Sequence, residues 1–241
     1  MWKPAFALAF VLCSLSSAAA DGLVFALPED KTGAVYEMEI THEQAGQKIV
    51  QQGSVKIASV GRLEVAEVKL RWLEIDINTA EADDKYRIIY KVLIPEKFLQ
   101  EGASPQECIL KCWYTRKVRP NEPIRAELLE KHPHDERWSF LPTFILAGAM
   151  TEKKPIKGVE LNTVFGKATC GGVSGKFDYE QESRKWQLKV ETRLHPKAPF
   201  GVVTSRVEFQ QERNGKTYNG VAAFKLIEVL RDQVGELAKH Q

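Results

Sequence analysis

The chain has 241 residues, with 34 lysines and arginines against 32 aspartates and glutamates and a formal net charge of +2. So even a balance supplies no bulk field to hold nucleic acid or an acidic membrane surface, and neither is expected as a partner. Beyond the first residues no apolar run approaches the ~20 residues of a membrane-crossing helix, so an integral membrane protein is not expected.

Met1 to Ala20 reads as a secretory signal peptide. Lys3 supplies the positive start, Ala5 to Leu15 the apolar stretch, and Ser16-Ser17-Ala18-Ala19-Ala20 the small residues that a signal peptidase inspects. Cleavage is expected after Ala20, which leaves residues 21–241 as a single β-rich exported domain, periplasmic or extracellular. Leu12 before Cys13 lacks the small residue that lipid attachment requires, so release is expected rather than anchoring. Loss of Lys3 lowers the net charge of the mature chain by one.

From Ala34 to Ile57 two strands are expected around the turn Gln44-Ala45-Gly46-Gln47, because Tyr36, Met38 and Ile40 alternate with polar residues. Alternation resumes after Gly61 through Leu63, Val65, Val68, Leu70 and Trp72, then Leu73, Ile75 and Ile77. Its parity changes near Val65 and after Trp72, as β-bulges would produce. Thr79 to Lys85 reads as a turn and Tyr86 to Ile94 as a strand with Ile88, Tyr90, Val92 and Ile94 on one face. Pro95 to Gly102 has the proline start and glycine end of a short helix. Gln106 to Val118 reads as a strand and Pro123 to Lys131 as a second short helix. Trp138 to Ala147, rich in bulky apolar residues, fits either a strand or a buried loop.

In the last third, strands are expected over 159–165, 167–173, 176–180, 185–194, 201–213 and 217–229. Arg213-Asn214-Gly215-Lys216 is the clearest hairpin signal. Leu230, Val234 and Leu237 suggest a terminal helix. About ten strands and two or three short helices imply a mainly β fold: a single curved antiparallel sheet, a half-barrel or near-closed barrel. A two-sheet sandwich is the alternative.

Export makes the cysteines a redox question. Cys108, Cys112 and Cys170 allow one disulfide or three reduced, buried thiols. On one strand, Cys108 and Cys112 would stand ~13 Å apart, too far to bridge. Either one paired with Cys170 would close a loop of roughly sixty residues, worth several kcal/mol.

Signals for chemistry are weak. Cys108, Cys112, His132 and His134 lack the tight spacing of a zinc site, so no metal is expected. Ser174 in Gly171-Gly172-Val173-Ser174-Gly175 lacks the nucleophile-elbow spacing. Cys170, His195 and Asp178 form a triad only on paper. Nucleotide-binding glycine patterns are missing, so no catalytic residue and no cofactor are expected. The aromatic content points instead to a concave, apolar face. Trp72, Phe98, Leu99, Trp138 and Phe144 are its candidate ligand-binding residues, with Phe98-Leu99 and Leu128-Leu129 as lids.

The set Thr163-Val164-Phe165-Gly166 through Cys170, then Trp186, then Ala198-Pro199-Phe200-Gly201-Val202-Val203 resembles a group of exported bacterial β-rich proteins of unknown function. Their pattern is T-x-x-G-x-x-x-C, a tryptophan strand and a P-F-G turn. The resemblance covers about the last 80 residues and departs from the pattern at Ala198. It implies a curved antiparallel sheet loosely similar to periplasmic lipoprotein carriers, and it brings no catalytic residue. Independently of it, Gly166, Pro199 and Gly201 read as turn residues that set strand register. The expected function is therefore a non-enzymatic exported binding protein that holds an apolar or lipid-like ligand. The alternative is an interaction or structural component of the bacterial cell envelope with a fully packed sheet.

Overall fold

A computed structural model describes residues 21–237, apart from 45, 82–83, 101–104, 118–123, 131–134, 136, 182–183 and 214. The expected signal peptide with Cys13, as well as His132 and His134, lies outside the described residues. Among the described residues, eleven strands form one antiparallel sheet. They are β1 (Gly33–Gln44), β2 (Gln47–Val65), β3 (Val68–Glu81), β4 (Asp84–Pro95), β5 (Lys111–Lys117), β6 (Glu127–Leu128), β7 (Thr151–Thr163), β8 (Gly166–Gln181), β9 (Arg184–Leu194), β10 (Val202–Arg213) and β11 (Lys216–Leu230). Two short helices join them, α1 (Glu96–Gln100) and α2 (Phe140–Ile145).

The strand order is β6-β5-β4-β3-β2-β1-β11-β10-β9-β8-β7. Two meanders thus run outward from the centre, where the first and last strands pair from Gly33↔Leu230 to His42↔Gly220. Every other pairing joins strands consecutive in the chain, most of them by hairpins, whereas this one closes the whole chain. The sheet is open, with β6 and β7 at its edges, and so is a half-barrel rather than a closed barrel. Register shifts at Val35/Tyr36, Ser59/Gly61 and Val202/Thr204 add one residue to a strand, and such bulges bend and twist a sheet.

Alternation sends Tyr36, Met38, Val55, Ile57, Leu73, Ile75, Tyr90, Val92, Leu188, Val190, Val207, Phe224 and Leu226 to the inner face, where all are buried in one cluster. The chain's own α2 and the start of the described chain fill this face. Trp138, Phe144, Ile145 and Leu146 are fully buried there, as are Leu23 and Val24. The Phe144 ring stacks on Phe224 at 5.2 Å and that of Phe140 on Trp186 at 4.8 Å. The apolar stretch 138–147 therefore folds around a helix. Residues apolar on all sides suit a helix with no solvent-facing side, and Pro142 falls in the first turn, where no helical N–H bond is lost.

Other expectations need correction. Residues 123–131 hold no described helix: Glu127–Leu128 pairs with Tyr114 and Trp113 as an edge strand. Leu128 points outward, so it cannot serve as a lid, and Leu129 is buried. The strand expected from Gln106 starts only at Lys111, after a 3-10 turn over Pro105–Cys108. The parity change near Val65 is a hairpin, with Ala66 and Glu67 at φ 48° and 68° making a tight turn without glycine. The bulge lies on β2 opposite Trp72, and the change after Trp72 arises because β3 is buried on both faces. Residues 167–180 form the single strand β8, and β11 ends at Leu230 without a helix in the described part of the tail.

Candidate functional site

The five candidate ligand-binding residues do not converge. Trp138 and Phe144 lie inside the half-barrel, and Leu99 of α1 joins the same cluster, with Phe98 packed at its margin. Trp72 lies on the opposite face of β3, in a separate cluster with Leu70 and Leu93. Strand parity dictates this, since Leu73, Ile75 and Ile77 take the inner face and even-numbered neighbours the outer one.

The turn before α2 is tied to the sheet. The Tyr90 hydroxyl donates to the Arg137 carbonyl at 2.6 Å, and the Trp138 ring meets Tyr90 edge-on at 5.3 Å. Arg137 grips Asp135 through two hydrogen bonds of 2.8 and 2.7 Å, which hold the Asp135 carboxyl below its ordinary pKa. Trp138 Nε1 and the Tyr179 hydroxyl, in the core cluster, and both amide atoms of Gln106, on the 3-10 turn, are buried and meet no hydrogen-bond partner among the described residues.

The motif residues build a corner. Gly166, at φ 91°, closes the β7–β8 turn, and its carbonyl accepts from the Thr163 hydroxyl at 2.7 Å. Phe165 of that turn stacks on His195 at 5.6 Å. Cys170 and Trp186 are both buried in the main core cluster. Gly201, at φ 80°, follows Pro199 and the fully buried Phe200. The Phe200 carbonyl accepts the N–H groups of Phe25 and Ala26, both at 3.0 Å. The left-handed φ favours glycine here, and Phe25 and Ala26 pack beside it, so the turn docks the start of the described chain. Sequence reasoning missed this docking. It also missed Asp21, whose buried carboxylate accepts from Met150 N at 2.7 Å and from Lys153 Nζ at 2.6 Å.

The geometry bears on chemistry as well. All three described thiols are unpaired, and Cys112 and Cys170 stand on strands near opposite edges of the sheet. Burial pushes the Cys112 pKa up to about 12, the reverse of an activated nucleophile. Cys170 and Asp178 are eight residues apart on β8, or ~26 Å, so no triad forms with His195. Ser174 is paired within β8 to Glu191, away from any turn. Among the described residues, no group of three potential metal ligands occurs.

What stays open is the outer face across β1 and β7–β11. Two grooves of about 800 and 790 Å³ cross it, lined by β1, β2 and β7–β11. Lys176, Lys189 and Glu208 of the first, and Glu191 and Arg206 of the second, also line a smaller one of about 320 Å³, so the three form a continuous trough. Its floor is a ladder of cross-strand rows. Lys176, Lys189, Glu208, Val221 and Thr41 make one, and Ser174, Glu191, Arg206, Ala223 and Glu39 the next. Charge alternates in sign from row to row.

No family model and no curated protein matches the chain. Among solved structures, a DUF1329 family protein from Desulfovibrio piger matches with 10% identity over 88% of this chain and 90% of that one, at a TM-score of 0.33. A putative outer membrane lipoprotein-sorting protein domain from Vibrio parahaemolyticus matches with 8% identity over 88% and 91%, also at 0.33. The MucA/MucB complex of Pseudomonas aeruginosa matches with 8% identity over 86% and 95%, at 0.17. Similarities of this size carry no argument about what this chain binds.

Proposed function

We propose that the chain is a non-enzymatic, exported interaction protein of the bacterial cell envelope that receives a polypeptide partner on its outer trough. One observation carries the reading: the half-barrel interior is occupied by the chain's own α2 segment, while the trough across β7–β11 is open. Rows of alternating charge favour register and specificity with a mixed-charge partner more than raw affinity. A photo-cross-linker in place of Lys189 should give one reproducible protein adduct in cells, weakened by salt. The same probe at Glu64, on the exposed β2–β3 hairpin, should give none. Identical adduct patterns at the two positions would refute the trough as the site.

The apolar-ligand reading retains support from the unpartnered polar atoms of Trp138 and Tyr179 in the core cluster. Buried polar groups ordinarily find a partner, and an amphipathic ligand's head group would supply one while its chain lay against Trp138, Phe144 and Leu99. Trp72 belongs to the other face and takes no part. Native mass spectrometry of the purified protein decides between the readings. A copurified lipid that is lost on Trp138→Ala supports the carrier, and a bare mass supports the packed interior.

A further inference from the structure

The outer faces of β3 and β4 carry a second built feature, independent of the trough. After Leu230 the chain crosses this face, and Glu74 and Lys91 grip its backbone. The Glu74 carboxylate accepts the consecutive N–H groups of Glu236 at 2.9 Å and Leu237 at 3.0 Å. Lys91 Nζ donates to the Leu237 carbonyl at 3.0 Å and sits 4.9 Å from the Trp72 ring. Glu74 and Lys91 are almost wholly buried, as is Leu237. Burial pushes the Glu74 pKa up and the Lys91 pKa down, so neither charge is comfortable without a partner.

Recognition here is of main chain, with two side-chain conditions. A Cβ at Gly235 would come within 2.8 Å of Glu74 Oε2 and 3.3 Å of Val60, so a side chain there would press on the clasp. Charge is complementary at the next residue, where Glu236 lies 3.2 Å from Arg87. The connection from the sheet is tied at Gln233, whose N–H donates to the Lys31 carbonyl at 2.9 Å. Arg231, Asp232 and Val234 are exposed, and Asp232 takes φ 54°, a left-handed conformation uncommon for residues other than glycine.

We propose that the Glu74–Lys91 clasp binds the Gly235–Leu237 segment of a second copy of this chain as well as its own, giving a dimer by reciprocal tail exchange. A hinge over 231–234 that straightens would relieve the left-handed Asp232, give up the Gln233–Lys31 bond and keep every clasp contact, so exchange trades few contacts.

Complementation tests it. The mature chain is expected to show a concentration-dependent dimer in analytical ultracentrifugation. Glu74→Ala breaks the clasp and Gly235→Val breaks the tail, so each variant alone should lose the dimer. Their mixture should regain a heterodimer, because one intact clasp meets one intact tail. Monomer throughout in the wild-type chain, a dimer that survives in either variant, or a mixture that fails to pair would overturn the proposal. Should either variant misfold, wild-type chains labelled with 14N and 15N, mixed and cross-linked, separate the same two cases. Tail-to-β3/β4 links of unlike isotope support exchange, and like-isotope links alone refute it.

Discussion

Removing the Phe144 side chain tests whether α2 is a core element or a displaceable plug. Phe144 is fully buried and stacks on Phe224 at 5.2 Å and Phe140 at 6.3 Å. Phe→Ala in a core typically costs ~3–5 kcal/mol, the lost transfer energy plus a cavity term. The sheet side of this site is held by cross-strand hydrogen bonds and cannot collapse inward, so a value of about 4 kcal/mol is expected, a large share of the ~5–15 kcal/mol that holds a typical protein folded. With an m-value of ~2.5 kcal/mol/M, the urea midpoint should fall by ~1.5 M. Far-UV circular dichroism and tryptophan fluorescence should report one coincident transition, since Trp138 and Trp186 both touch the α2 region. A midpoint shift below ~0.4 M, about 1 kcal/mol at that m-value, with unchanged cooperativity would refute the reasoning. So would a separate early transition in fluorescence alone, because α2 would then leave the sheet independently of global unfolding.

Other outcomes follow from the same contacts. Of the three described thiols, a thiol reagent should label Cys108 first in the folded chain, since Cys112 and Cys170 are fully buried and the Cys112 pKa is pushed up to about 12; rapid native labelling of Cys112 contradicts this. Asp21→Ala strands the Met150 N–H and the Lys153 ammonium, and should lower stability by ~1–3 kcal/mol in thermal unfolding; no change in Tm would mean that the start of the described chain is not docked in solution. Because burial raises the folded Glu74 pKa above its unfolded value, this group's contribution is fully present below about pH 4.3 and is lost as pH rises through the folded pKa. Wild type should therefore gain stability relative to Glu74→Gln as pH falls from 7 toward 4, and parallel stability curves would argue against a buried, raised Glu74.

Strand alternation made the inner face readable from residue order alone. Tyr36, Met38 and Ile40, or Ile88, Tyr90, Val92 and Ile94, declare their face because side chains on a strand alternate with period two. Hairpins such as that at Gly215 were equally legible, since a two-residue turn sets its own pairing. The same local logic correctly implied a mainly β, curved, single sheet. It failed where both faces are buried, as on β3, because alternation then carries no sign, and Trp72, expected on the concave face, lies on the other one. It failed again at 138–147, where residues apolar on all sides have no period to read. Tertiary structure decided what residue order does not encode: that β1 pairs with β11, that α2 enters the half-barrel, and that Glu74 and Lys91 hold the tail. Periodicity tells which residues share a face, and only the packing of distant segments tells what covers it.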